Sequence, residues 1–145
     1  MATVQARMLS WRYRTERLAR YWSKNPHGVC LLPSCLASGV HETLTHILLE
    51  CPSLNPARCN LQTFTVCFMQ QLPSDIQEIL SEYCAPLHSR SPQFLVDCSS
   101  LPEVIQAVQK SGDSVLHHLF RVTRTWCYTL HKERLRLLGR WNIFV

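Results

Sequence analysis

Apolar side chains recur every three or four residues along the C-terminal part of the chain. This spacing is typical of one face of an amphipathic helix, and it runs from Asp113 or Ser114 to about Leu138. Gly139 follows as a natural C-cap. The pattern predicts the longest helix of the protein here. The members of its apolar stripe are Leu116, Leu119, Phe120, Thr123, Trp126, Cys127, Leu130, Arg134, Leu137 and Leu138.

A second long amphipathic pattern covers residues 2–23 and predicts an N-terminal helix. Its polar side carries Arg12, Arg17 and Arg20. The apolar members of its stripe are Val4, Met8, Trp11, Leu18 and Trp22.

The middle of the chain carries shorter segments separated by proline and glycine. Asn60 is a candidate N-cap for a helix to about residue 71, and Ser74 or Asp75 is one for a helix over residues 76–84. A loop is predicted over residues 85–92.

The last short helix is predicted to begin at Pro102, run to about Gln109 and be broken by Gly112. No run of alternating β-branched residues predicts a strand. The expected fold class is therefore all-α.

A cysteine-rich unit follows the first helix, with the spacing Cys30-x4-Cys35-x10-His46-x4-Cys51. Zinc in structural sites takes four tetrahedral ligands from cysteine thiolates and histidine nitrogens. The spacing predicts one zinc ion held by these four residues. Because all four ligands come from the protein, no position remains for a catalytic water, and the predicted site is structural.

His46 and Cys51 lie five residues apart at the end of a predicted helix over residues 42–50. On a continuous α-helix they would be about 140° apart. They can share one ion only if the helix unwinds near Glu50, and Pro52 favours this by disfavouring helical geometry at Cys51.

Two other histidines are alternative ligands, and a group of unrelated cysteines is the alternative to a metal site. His41 competes with His46, and His27 is a weaker candidate. The remaining five cysteines have no close partner spacing, so we predict that they are small core residues. They are Cys59, Cys67, Cys84, Cys98 and Cys127.

The formal net charge of +5 conceals a segregation of charge along the chain. Residues 1–30 carry six basic side chains and one acidic, and residues 104–145 carry seven basic and two acidic, so each end has a net charge of +5. Residues 31–103 carry two basic and seven acidic side chains. If the two ends pack together, they form a basic face that attracts polyanions, although two separate solvated helix faces would give the same pattern.

The candidate nucleic-acid-binding residues come from both ends. Aromatic side chains at Tyr13, Tyr21 and Trp141 could stack on unpaired bases, whereas Trp11, Trp22 and Trp126 fit core packing better. The candidate phosphate contacts are Arg12, Arg17, Arg20, Arg121, Arg124, Lys132, Arg134, Arg136 and Arg140.

The sequence gives little evidence for a catalytic site. His117 and His118 are adjacent, so on a helix they point about 100° apart and do not act as a pair. Cys127 and His131 are one turn apart, but no orienting acid accompanies them. Phosphate-loop, dinucleotide and serine-nucleophile motifs are also missing from the sequence. We therefore predict that the protein is not an enzyme and takes no small-molecule substrate.

The unit that ends at Pro52 resembles the zinc knuckle near the C-terminus of non-LTR (LINE-like) retrotransposon polyproteins. It reads CLLPSCLASGVHETLTHILLECP and contains the core Glu42, His46, Cys51, Pro52. The flanking segments ARMLSWRYRTERLARYW and LFRVTRTWCYTLHKERLRLLGRW also resemble that region. The resemblance implies a fragment, or a host-captured descendant, of a region that helps to hold RNA or DNA during target-primed reverse transcription. No polymerase or endonuclease motif is present.

Together these patterns predict one domain over residues 1–145. It would comprise a basic helix over 1–25, a zinc knuckle over 26–55 and a helical region over 56–145. The expected function is non-catalytic, zinc-dependent binding of RNA or single-stranded DNA. The alternative is a protein-interaction adaptor whose apolar helix stripe serves a partner. Without an apolar span or secretory signal, an intracellular location, nuclear or cytoplasmic, is expected.

Overall fold

The computed structural model describes residues 28–84 and 92–139, and every named element within them is helical. This confirms the predicted all-α class. The elements are a π-helix His46–Glu50, a 3-10 helix Pro52–Leu54, α1 Asn55–Met69, α2 Ser74–Ile79, α3 Ser81–Cys84, α4 Gln93–Val96, a 3-10 helix Cys98–Ser100, α5 Pro102–Ser111 and α6 Asp113–Leu137. The predicted helix over residues 2–23 lies outside the described residues, as do residues 85–91 of the loop predicted over 85–92.

Helix α6 is the long helix that the apolar spacing predicted. Gly112 precedes it with φ 83°, and Gly139 follows it with φ 65°, so both ends use the left-handed backbone that glycine accepts. The buried face is rotated slightly from the predicted stripe. Leu116 and Phe120 are only partly buried, while Val115 and Val122 belong to the core.

Helix α1 packs along α6, and two polar contacts fix the pair. The indole Nε1 of Trp126 donates to the hydroxyl of Thr65 at 2.6 Å, and both side chains are buried. The ring of His118 lies 4.1 Å from that of Phe68, and its Nε2 is 2.8 Å from the carbonyl oxygen of Phe68. The predicted core position of Trp126 is confirmed.

Replacing Thr65 by valine should destabilise the protein by about 1–3 kcal/mol, because it leaves a buried indole N–H without its acceptor. The side chain keeps its shape, but its own hydrogen bond to the Leu61 carbonyl is lost as well. Thr63→Val is the matched control, since Thr63 lies on the same helix but is exposed. Urea unfolding would measure both variants. Equal losses of stability would show that the Trp126 contact contributes nothing.

The start of α1 corrects the prediction from sequence. The helix begins at Asn55 instead of Asn60. Pro56 fits in its first turn, because the backbone N–H that proline lacks would have no partner within the helix there. Cys59 and Cys67 lie on the exposed side of this helix, so the prediction that they are core residues was wrong. Leu61, Thr65 and Met69 are on the buried side instead.

The shorter helices complete the core on the other side of α6. Helix α5 follows the prediction, whereas the segment predicted over residues 76–84 is interrupted at Leu80. Tyr83 stacks on Phe94 with centroids 4.3 Å apart. Cys98 and Cys127 are buried as predicted, and the thiol of Cys127 donates to the Leu95 carbonyl at 3.3 Å. None of the described helices has both the length and the apolarity needed to cross a membrane.

Candidate metal centre

The first two cysteines of the predicted site lie on a backbone loop closed by hydrogen bonds. The amide of Cys30 donates to the Val40 carbonyl at 2.7 Å, and that of Cys35 donates to Leu32 at 2.9 Å. Gly39, with φ 66°, supplies the sharp return turn. These bonds hold both thiols on one side of the loop, and both are buried.

The other two residues of the site are brought together by a widened helical turn. The amide of Cys51 donates to the carbonyl of His46 at 2.7 Å, an i→i+5 bond of a π-helix. Cys51 itself leaves helical geometry, with ψ 118°, directly before Pro52. The exit at Cys51 matches the expectation from sequence, but the whole last turn widens as well. This wider turn brings His46 and Cys51 onto one side.

The four side chains have the separations of a tetrahedral zinc site. Their ligand atoms all lie within 4.8 Å of one another. The Sγ of Cys51 is 3.6 Å from that of Cys35 and 4.0 Å from that of Cys30, and the Cys35 Sγ is 3.5 Å from His46 Nε2. Zinc with Zn–S of about 2.3 Å and Zn–N of about 2.0–2.1 Å would set S···S near 3.8 Å and S···N near 3.6 Å. These residues can therefore hold one metal ion.

The electrostatics of the cluster also fit a cation. A hydrogen bond from Cys30 lowers the pKa of Cys51 to about 4, and hydrogen bonding to Cys51 raises the pKa of His46. The same contact with Cys51 raises the pKa of Cys30, and burial raises that of Cys35. Three thiolates this close repel one another. A divalent cation among them would let all three ionise.

Residues around the cluster orient its ligands. The Nε2 of His46 faces Cys35, while its Nδ1 lies 3.7 Å from the carboxylate of Glu50. A carboxylate on the outer nitrogen is a common support for a metal-binding histidine. Arg58, buried at 8% exposure, donates to the carbonyls of Ile47 and Cys51. The sequence reasoning missed Arg58, although it falls on the apolar side of α1, three residues before Leu61.

A buried ion pair links the metal centre to α6. Arg134 Nη2 donates to Glu42 Oε1 at 2.6 Å, and its Nε donates to Oε2 at 3.1 Å. The two residues are 3% and 0% exposed. The prediction that Arg134 contacts phosphate was therefore wrong, because its guanidinium is buried against Glu42. Its role in the fold is structural.

The other predicted basic residues differ in their surroundings. Arg121, Arg124 and Lys132 are exposed on α6, whereas exposed Arg136 forms a two-bond ion pair with Glu133 at 2.6 and 2.8 Å. The remaining candidates lie outside the described residues. They are Arg12, Arg17, Arg20, Arg140, Tyr13, Tyr21 and Trp141.

The alternative ligands and the candidate catalytic residues differ in their surroundings within the described part of the chain. His41 is exposed and does not belong to the metal cluster, and His27 lies outside the described residues. His117 is exposed while His118 packs on α1, as expected for adjacent helical positions. Burial raises the pKa of Cys127 to about 12, so this residue is a neutral thiol near neutral pH.

Comparisons with protein-family models, curated proteins and solved structures give no match for this chain. The fold and the site nevertheless define its class. It is a small all-α domain with a buried cluster of three cysteines and one histidine that could bind one metal ion.

Proposed function

We propose that this chain is a zinc-stabilised, non-catalytic module that binds single-stranded RNA or DNA. We also propose that it descends from the C-terminal region of a non-LTR retrotransposon polyprotein, on the strength of the knuckle motif and its flanking segments. The binding proposal rests on the surroundings of three exposed basic residues of α6, which are Arg121, Arg124 and Lys132.

Zinc is the metal that best suits the cluster. Thiolate and imidazole donors in a tetrahedral arrangement favour zinc, whereas magnesium and calcium require oxygen ligands. Four protein ligands leave no open coordination position for substrate or water, so the ion has a structural role. This is why we propose a module whose zinc holds geometry and takes no part in a reaction.

Each of the three basic side chains lies over an aromatic ring. The distance from cation to ring centroid is 5.5 Å for Arg121 over Phe68, 5.7 Å for Arg124 over Phe120 and 5.5 Å for Lys132 over Tyr128. The three positions fall within about 80° around the helix axis. A row of cations along one side of a helix offers contacts to the successive phosphates of a strand.

The adaptor alternative has less support in the described fold. It requires the apolar stripe of α6 to be available to a partner helix. Leu119, Trp126 and Leu130 are instead buried in the protein's own core, and Leu116 and Leu137 pack against it. The outer, basic face of α6 is the more accessible surface.

Neutralising Arg121 or Arg124 with glutamine should weaken binding to every sequence tested, because these side chains would contact phosphate and not the bases. The slope of log affinity against log salt should also fall by about 0.7 for each contact to a single-strand phosphate that a substitution removes. Fluorescence anisotropy with a labelled oligouridine over a range of salt concentrations would measure both quantities.

Lys110→Gln is the matched control. Lys110 carries the same charge and is half-exposed, but it lies on α5 and pairs with Asp75 at 3.1 Å. The Lys110→Gln variant should leave the affinity for the oligouridine and the salt dependence of that affinity nearly unchanged. If wild-type protein fails to bind at low salt, or binds with an affinity independent of salt, the proposed function is wrong.

A further inference from the structure

A groove runs between the first half of α1 and the second half of α6. Its volume is about 630 Å³, within the range of about 300–1,000 Å³ typical of small-ligand sites. Asn60 and Phe64 line it from α1, and Thr125, Tyr128 and Lys132 line it from α6. Leu61 and Phe64 also belong to or pack against the core, whereas the polar lining residues Asn60 and Lys132 are exposed.

The groove lining has the chemistry that an unpaired base requires. Phe64 and Tyr128 are both half-buried aromatic residues. The exposed amide of Asn60 carries donors and an acceptor, which suits the polar edge of a base. Aromatic rings bind bases by stacking, and amides add hydrogen bonds to base edges.

The charge at the groove favours an anionic ligand. Lys132 lines the groove with its ammonium over the Tyr128 ring. The lining carboxylate, Glu133, is paired with Arg136, which lowers the pKa of Glu133 and offsets its charge. This half of the groove therefore carries positive charge beside aromatic rings, a combination that suits a phosphate and its base.

We infer that the groove between α1 and α6 binds one unpaired nucleotide of a nucleic-acid strand. The base lies between Phe64 and Tyr128, and its phosphate lies at Lys132. Neighbouring phosphates of the same strand continue toward Arg124 and Arg121. This inference rests on the proposed function and specifies it, because it requires single strands in preference to duplex.

The test compares two ligands with equal phosphate charge, an oligothymidine and an abasic oligonucleotide of the same length. Wild-type protein should bind the oligothymidine about 5- to 150-fold more tightly, since stacking on aromatic side chains has that effect per base. Tyr128→Leu keeps an apolar side chain but removes the ring, and it should reduce this preference several-fold. Affinity for the abasic strand should change little.

Phe120→Leu is the matched control. Phe120 is also a half-buried aromatic residue of α6 beneath a cation, but it does not line the groove. Its variant should keep the wild-type preference. Asn60→Ala, a change of an exposed side chain, should also reduce the preference and serves as the second test if Tyr128→Leu does not fold.

The possible outcomes separate the two claims. Binding to neither ligand overturns the proposed function and this inference with it. Equal binding of both ligands by wild-type protein leaves the phosphate contacts intact but overturns the groove site. A preference that persists in Tyr128→Leu and Asn60→Ala would also overturn it, because the base would then lie elsewhere.

Discussion

Replacement of Cys51 by serine is expected to cause the largest loss of stability in the described part of the chain. Cys51 contacts both other cysteines of the cluster and provides the thiol with the lowest pKa. Structural zinc contributes about 10–16 kcal/mol of apparent binding free energy in small zinc domains, where binding and folding are coupled. The melting temperature should fall by more than about 10 °C, and bound zinc should be lost.

Cys67→Ser is the control for this substitution. Cys67 is a free cysteine exposed on α1, outside the cluster. It should leave the melting temperature and the zinc content nearly unchanged. Thermal unfolding followed by circular dichroism, with metal analysis of the same samples, gives both readouts. Similar melting temperatures for the two variants would contradict a metal-dependent fold.

Arg134→Met should give the second-largest effect, about 3–5 kcal/mol of lost stability, because it leaves the carboxylate of Glu42 buried without its partner. The Glu42 side chain is fully buried and bound by two nitrogens of Arg134. Methionine keeps much of the apolar packing of the arginine stem. The loss would therefore come mainly from the two missing contacts between the guanidinium and the buried Glu42 carboxylate.

Two further variants test this account of the ion pair. Adding Glu42→Gln to Arg134→Met should recover part of the stability, since the second change removes the buried carboxylate that has lost the Arg134 guanidinium. Arg136→Met also breaks an arginine–glutamate pair on α6, but an exposed one, and should have little effect. Denaturant unfolding of all three is the measurement. Equal losses for Arg134→Met and Arg136→Met would contradict the structural role of Arg134.

The sequence predicts α6 and the metal cluster well because both follow local rules. The apolar spacing and the flanking glycines define α6. The residues Cys30, Cys35, His46 and Cys51 have a spacing that few structures other than a metal site explain. The widened turn at His46–Glu50 could not be predicted, because it depends on where the loop from Cys30 to Cys35 places its thiols.

The errors have physical causes that the residues themselves illustrate. Arg134 falls on the apolar stripe of α6, and that position indicated burial, but its charge suggested phosphate binding. Its partner Glu42 lies 92 residues earlier, and no local pattern connects the two. Cys59 and Cys67 were assigned to the core from the general tendency of free cysteines to be buried. The buried side of α1 instead carries Leu61, Thr65 and Met69, and Cys59 and Cys67 face solvent.

Native mass spectrometry of protein purified under reducing conditions tests the central claim most directly, because it counts metal ions per folded chain. One zinc ion per chain, lost in Cys51→Ser and kept in Cys67→Ser, is the predicted result. A folded wild-type chain without zinc, whose melting temperature does not change on chelation, would contradict the account.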